Sequence, residues 1–442
     1  MPSLLFSQSM ITEYGLKGIA QTSAQNPAFH PEASFVLGLP VLSSVSGGFY
    51  NSAFTFNEVF IENTNNDSLY FDLSQPVNKL EAVNYFSEDI TVDLISLGVK
   101  AGNLFLTFGI RNRLSSRVYY SSDLLNLIWN GNATYIDNEL DLKGSAIYQE
   151  HLNDYYFGIS VPLNNNVNLG FRLNFLQGLS NINTNISRLS LMTRSNQTTG
   201  YEFIAQTDFN IETTGISELI SDSSDYSAVD YFFSFSNVGF ALDLGAEVKL
   251  NNQFLLQASI VDIGSVFWYG NPTVYSSKER DIAFSGVQYD FNTENDKNAF
   301  DTYMDSLGTV LHIEENNRKY SVSLRTKVFF NGQYSLLNNK HRFNILFAGR
   351  FLEETFEYAI SFGYTYAPSE KFAIKTAYNY LKHAPLNLGL GFYFNLKPFQ
   401  IYFSTDNIIN LFKIYDAHYT NAHFGINIFI PYKDEFSAGI VE

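Results

Sequence analysis

The strongest constraint on this 442-residue chain is a set of long period-two segments joined by very short polar turns. From Phe240 to Leu250 every even position is apolar (Phe240, Leu242, Leu244, Ala246, Val248, Leu250), and Asp243, Gly245, Glu247 and Lys249 alternate with them. Asn251 and Asn252 reverse the chain, and the return runs from Phe254 to Ile263. Successive side chains of a β-strand point to opposite faces, so this pattern builds a sheet with one oily and one wet face. Strands of about ten residues exceed the usual globular length of about five or six, but match the roughly 9–11 needed to cross a bilayer at a tilt. The pattern predicts an all-β fold, a closed antiparallel transmembrane β-barrel.

The design recurs. Ile360, Phe362, Tyr364 and Tyr366 share a face, 368–370 turns, and Phe372, Ile374, Thr376, Tyr378 and Tyr380 return. Leu386 to Leu396 alternates in the same way, and Lys397-Pro398 turns into Phe399, Ile401 and Phe403. Tyr155, Phe157, Ile159 and Val161 meet Val167 to Phe175 across 162–166. Less regular strands near 91–100, 104–114, 319–330, 342–351 and 422–431, with weaker ones near 35–56 and 140–150, bring the total to about 14. Aromatic residues make up 16% of the chain, with 29 Tyr and 41 Phe, which suits the interfacial girdles of such a barrel. No apolar run reaches 18 residues, so an ordinary transmembrane helix is excluded, while a barrel spreads its membrane signal over alternating strands.

Lipid-face cost assigns the two faces. Lys or Arg at the midplane on the lipid side costs about 2–4 kcal/mol, so Arg172, Asn174, Asp243, Glu247, Lys249, Lys371 and Lys375 are expected to point into the lumen. Connection lengths assign the ends. The turns at 162–166, 251–252, 368–370 and 397–398 belong to one end, the periplasmic one by the usual barrel rule. The longer connections 177–235, 264–318, 331–341, 381–385 and 405–421 are then expected to be extracellular. Two of them carry helical spacing. Phe300, Tyr303, Met304 and Leu307 in one, and Ile408 and Phe412 in the other, are candidate partner-docking residues.

A net charge of −17 argues against a nucleic-acid binder, and the absence of cysteine excludes disulfides and thiolate chemistry. No Gly-x-Ser-x-Gly elbow or His-Glu-x-x-His occurs, and the seven histidines are scattered. The chain is therefore read as a non-enzyme with no metal site and no cofactor, its histidines as interfacial or loop residues. The acidic run from Asp208 to Asp230 reads as a solvated loop surface.

Met1 to Gln8 reads as the remnant of an export signal, with residues 9–34 a small-residue hatch or plug and 35–442 the barrel. Tyr14 to Phe29 is rich in small residues and ends in Asn26-Pro27-Ala28. This stretch resembles the N-terminal hatch of FadL-like outer-membrane transport proteins, in which a small-residue segment ending in Asn-Pro-Ala precedes a 14-stranded barrel. The resemblance implies that Gln25, Asn26, Pro27 and Ala28 form or anchor a hatch. Val36 to Val45 and the late Ser404-Thr405-Asp406-Asn407 also resemble uncharacterised outer-membrane barrels of Bacteroidota, some relatives of which serve type IX secretion. Two functions follow as expectations. One is transport of hydrophobic or amphipathic small molecules across the outer membrane, which needs an apolar pocket beneath Asn26-Pro27-Ala28 and a lateral opening at a kinked strand. The other is a non-transporting barrel docked to a secretion-pore protein. Membrane lipids are partners in both.

Overall fold

A closed ring of fourteen antiparallel staves forms the molecule, seen in a computed structural model that describes residues 10–63, 68–196, 200–216, 228–284, 308–352, 355–381 and 384–431. The first stave is broken into β1 (Ala33–Gly38) and β2 (Val45–Asn51). A small cap follows, made of α1 (Phe56–Val59) and the hairpin β3 (Phe60–Asn63) and β4 (Ser68–Phe71). The wall continues with β5 (Val83–Ala101) and β6 (Leu104–Ser121). Next come α2 (Ser122–Asn130), the short β7 (Glu139–Asp141), then β8 (Ala146–Pro162) and β9 (Val167–Asn196). After β10 (Gly200–Thr214) and α3 (Ala228–Phe233) the wall resumes with β11 (Asn237–Lys249) and β12 (Phe254–Trp268).

β13 (Thr273–Phe284) and β14 (Glu314–Asn316) lie outside the ring, and a second broken stave joins β15 (Tyr320–Ser323) to β16 (Lys327–Leu336). The remaining staves are β17 (His341–Phe351), β18 (Phe356–Ser369), β19 (Phe372–Leu381), β20 (Ala384–Leu396) and β21 (Phe399–Thr405). After α4 (Ile408–Phe412), β22 (Tyr419–Pro431) pairs with both β1 and β2 and closes the ring. Closure leaves no edge, so the backbone groups of the wall find partners without water. No helix among the described residues is long and apolar enough to cross a membrane.

The alternation reads as expected. On β11 and β9 the polar set Asp243, Glu247, Arg172 and Asn174 is buried, whereas Phe240 and Leu173 are each 62% exposed on the outside. Lys375 is also inside, while Lys249 and Lys371 sit exposed at strand ends rather than in the lumen. Local chemistry makes the turns. Asn251 Oδ1 accepts from the Gln253 and Phe254 N–H groups (2.8 and 2.9 Å), and Asn164 Oδ1 accepts from Asn166 and Val167 in the same way.

Three readings need correction. The connection 331–341 is not a long extracellular loop. It is the end of β16 and a tight turn at 337–340, on the same end as the other short turns. Asn331 and Ser335 supply a polar lumen face that masked the strand, and Leu337, Asn338 and Asn339 take left-handed φ values of 48°, 55° and 64° to reverse it. The stretch 177–235 is largely paired strand: β9 runs on to Asn196, and β10 returns against its upper half and joins β13. Asp208 and Glu212 therefore lie on a strand rather than in a loop. The stretch 264–318 likewise contains the end of β12 and all of β13 and β14.

Candidate functional site

Residues 10–31 precede the wall and run inside it. A segment rich in small and polar residues suits a lumen whose lining is itself polar, because each buried donor or acceptor can find a partner there. Ile11, Thr12, Tyr14, Leu16, Ile19 and Asn26 are fully buried, and the turns at Ile11–Tyr14, Glu13–Leu16 and Ala20–Ala24 fold the segment on itself. Tyr14 packs edge-on to Phe29 (5.1 Å between ring centroids) and stacks on Phe329 of β16 (5.2 Å).

The upper anchor is Asp406, at the top of β21. Its carboxylate is buried and accepts from the Ile11 and Thr12 N–H groups (3.1 and 2.7 Å), from the Tyr419 hydroxyl (3.1 Å) and from Asn421 Nδ2 (2.8 Å). Asn379 Nδ2 donates to Thr12 Oγ1 (2.9 Å), and Lys375 Nζ donates to the Tyr14 carbonyl (2.7 Å). Asn407 accepts from the Asn410 N–H and caps α4 (3.2 Å). The Ser-Thr-Asp-Asn element thus holds the start of the lumenal segment and the start of a helix at once.

A second clasp joins Glu13 to the wall. Ser404 Oγ donates to Glu13 Oε2 (2.9 Å), and His423 Nδ1 lies 2.7 Å from the same oxygen. A carboxylate only accepts, so Nδ1 carries the proton and donates. His423 Nε2 then accepts from Ser44 Oγ at 2.9 Å, since the Tyr402 hydroxyl, 3.1 Å away, spends its proton on the Ser43 carbonyl (2.6 Å). The order serine–histidine–carboxylate is that of a nucleophilic triad. All three groups are buried, however, and they bridge the lumenal segment to the gap between β1 and β2. His423 is therefore a lumenal residue, not the interfacial or loop histidine expected. At that gap Val41 and Leu42 are half-exposed outside, and Ser43 and Ser44 are buried inside. The gap stays bonded to both neighbours, through Asp93 N–H to the Ser44 carbonyl (2.9 Å) and Ile426 N–H to the Leu42 carbonyl (2.8 Å).

The lower seat is Gln25 to Ala28. Asn26 Nδ2 donates to the Tyr14 hydroxyl (3.1 Å) and the Ala258 carbonyl (3.3 Å), while its Oδ1 accepts from the Ala28 N–H (3.0 Å). The Ala28 carbonyl accepts from Ser160 Oγ (3.1 Å) and Asn168 Nδ2 (2.6 Å), and the Gln25 carbonyl from Ser259 Oγ (2.6 Å). Pro27 lies against two inward-facing glycines. A Cβ on Gly245 would sit 2.0 Å from Asn26 Oδ1, and one on Gly170 would sit 2.0 Å from the Ala28 nitrogen. The seat is thus polar and close-packed, not the apolar pocket expected there. Between seat and anchor, Gln21 and Asn427 exchange two amide hydrogen bonds (2.9 and 3.0 Å), Arg172 donates to Ser23 Oγ (2.8 Å), and Lys17 pairs with Glu247.

Nearer the long-connection end the lumen is crossed by paired charges. Arg113 grips Asp262 through two bonds (2.9 and 3.0 Å), Lys327 donates to the same carboxylate (2.9 Å), and Arg111 pairs with Asp93 (2.7 Å). Among the described residues no group of three or more His, Asp or Glu is placed to hold a metal ion.

The structure brings Gln25, Asn26, Pro27 and Ala28 together as one seat. On α4, Ile408 is half-buried, while Phe412 is 85% exposed. Phe300, Tyr303, Met304 and Leu307 lie outside the described residues. Gly170, Gly245, Glu13 and His423 were not singled out from the sequence, although Gly245 sits in the same inward row as Asp243 and Glu247, where a missing side chain signals a close approach.

No curated protein matches the sequence. Similar solved structures include the toluene transporter TbuX of Ralstonia pickettii, at 10% identity over 92% of this chain and 93% of the other, with a TM-score of 0.43. The toluene transporter TodX of Pseudomonas putida matches at 8% over 97% and 98% (TM-score 0.41), and a FadL homologue of Pseudomonas aeruginosa at 8% over 98% and 100% (TM-score 0.43). The model of a family of unknown function, DUF5723, matches residues 27–406, from Pro27 of the lower seat to Asp406 of the upper anchor, and the chain belongs to that family.

Proposed function

We propose that this chain is an outer-membrane barrel that passes hydrophobic or amphipathic small molecules, with residues 9–34 as its hatch and Gln25, Asn26, Pro27 and Ala28 as the seat of that hatch. The observation that carries the reading is the lumenal segment itself. It fills the barrel through hydrogen bonds and one ion pair that can open and re-form, and its Glu13 clasp ends on the broken first stave. Displacing the segment takes Glu13 away from His423, the histidine that holds Ser44 at that break. A lateral exit there would deliver an apolar solute to the membrane without dragging it past the polar seat.

The test is entry of a hydrophobic fluorescent naphthylamine into cells whose outer membrane carries the chain. Wild type is expected to admit it several-fold faster than an empty-vector control. Gly245→Val, which drives a side chain into Asn26 and Pro27, is expected to raise entry further and to admit small hydrophilic solutes as well. Wild-type entry equal to the control, with the barrel folded, would remove the transport reading.

A second reading, an accessory barrel docked to a secretion-pore protein, is favoured by one observation. At the long-connection end Phe412, Ile409 and Tyr415 are exposed beside Phe56, whose ring lies 5.2 Å from that of Tyr415. Exposed aromatic clusters of this kind mark interaction sites. Phe412→Asp is then expected to abolish a stable complex on native gels while leaving dye entry unchanged. An unaltered complex would exclude α4 from the contact.

A further inference from the structure

On the outer face of the wall a groove of about 610 Å³ spreads across β12 and β16 to β20. Gly332 lies in its floor, and Tyr334, Ile345, Phe362, Tyr364 and Leu388 are among the side chains around it. It does not lead into the lumen. Pairing is continuous behind it, from Leu255 opposite Gln333 through Asn344 opposite Gly363 to Thr376 opposite Leu390. The groove is therefore no part of the hatch or of the broken first stave. A concavity of this size on the bilayer face of a membrane barrel is covered by hydrocarbon, and about 300–1,000 Å³ is the usual range for a site that encloses one small organic ligand.

Charge at the rim identifies the head of that ligand. The chain as a whole is acidic, with 44 Asp and Glu against 27 Lys and Arg. The short turns below this sector invert the balance: Lys249, Lys340, Lys371 and Lys397 are all exposed there, accompanied by the single carboxylate Glu370. Lys340 closes the turn between β16 and β17, and Lys371 the turn between β18 and β19, so each sits in the turn that ends a strand carrying one of the two tyrosines, Tyr334 and Tyr364. Tyr364 is held by His341 Nδ1 at 2.8 Å, which places a tyrosine and a histidine between the apolar floor and the lysine rim. Lysines at a membrane surface attract anionic lipid, each contributing about fivefold in affinity.

We infer that this groove and its rim bind one acidic phospholipid of the leaflet at the short-turn end, its acyl chain over Gly332 and its phosphate at Lys340 and Lys371. The site is independent of transport and depends only on the barrel crossing the bilayer.

The full chain in nanodiscs of equal phosphatidylglycerol and phosphatidylcholine, released into native mass spectrometry, tests this. Wild type is expected to retain one phosphatidylglycerol in preference to phosphatidylcholine by on the order of tenfold. Gly332→Trp fills the groove, since a Cβ there meets only Leu256 at 3.9 Å, and it is expected to lose the retained lipid. Lys340→Glu with Lys371→Glu, at exposed turns, is expected to keep a lipid but lose the preference. Equal retention of both lipids by wild type would overturn the inference. So would full retention by a Gly332→Trp protein that still shows heat-modifiable migration, or a lipid-free dimer, which would give the groove to a second copy.

Discussion

Deleting residues 14–28 is expected to turn a barrel that is silent in planar bilayers into one that conducts in discrete, stable steps. The segment removed carries the Tyr14 stack, the Gln21–Asn427 exchange and the whole lower seat. It also leaves Glu13 one peptide bond from Phe29, a Cα separation of about 3.8 Å. In the intact protein Glu13 is bonded to Ser404, to His423 and to the Gln25 amide, and Phe29 follows the seat, its ring against that of Tyr14. The deletion removes that seat outright, while residues 10–13 keep their own bonds at Asp406, Ser404, His423 and Asn379. The groups that bonded the segment, among them Lys375, Arg172, Gln400 and Asn427, then face a lumen open to water, which can satisfy them. The wall keeps its interstrand hydrogen bonds, because none of the deleted residues belongs to a stave. Heat-modifiable migration should therefore survive, and that check separates an opened barrel from an unfolded one. A folded deletion protein that stays silent would show that the staves and their paired charges, not the segment, close the lumen, and would favour the docked reading.

Much of this was legible in the residues because strand period and lipid exclusion are local rules. An oily outside and a polar inside follow from alternation alone on β11, β18 to β21 and the first part of β9, where large apolar side chains mark every second position, and the less regular segments bring the count to about fourteen staves. The reading failed where the lumen contributes the variation. The second half of β16 carries Asn331, Gln333 and Ser335 inward and Gly332 outward, so beyond residue 330 it lacks contrast and reads as a loop. β10 and β13 escape the pattern because they pair with each other, with the far half of β9 and with β14 instead of standing in the ring. For the site, Asn26-Pro27-Ala28 was visible as a motif, and so was Ser404-Thr405-Asp406-Asn407. Nothing local in either says that they grip the two ends of one segment, since the bonds from Asp406 to Ile11 and Thr12 span almost four hundred residues. His423 shows the same limit. Its meaning depends on Glu13 and Ser44, which only ring closure between β22 and the first stave brings to it.

Asp406→Ala is expected to loosen the upper anchor by several kcal/mol while sparing the wall. The carboxylate serves four donors, and alanine leaves the Ile11 and Thr12 N–H groups, the Tyr419 hydroxyl and an amide of Asn421 without it. A buried donor stripped of its partner costs about 1–3 kcal/mol, and entering water recovers part of that. Removing the carboxylate also removes the cost of burying its charge, so the net loss is well below the sum of four such penalties. Asp406→Asn separates the two contributions. It keeps one acceptor oxygen for Ile11 or Thr12 but turns an amide donor toward the donors that remain, so it is expected to fall between wild type and alanine. Protease cleavage within residues 10–30 of the folded barrel reads the effect directly, because a seated segment is enclosed and a released one is not. Brief conducting bursts should appear in the same order: none in wild type, some in Asp406→Asn and most in Asp406→Ala. Protection and silence in Asp406→Ala equal to wild type would mean that the Glu13 clasp and the lower seat suffice, and that the bonds at Asp406 serve the junction of β21 with β22, through Tyr419 and Asn421, rather than the lumenal segment.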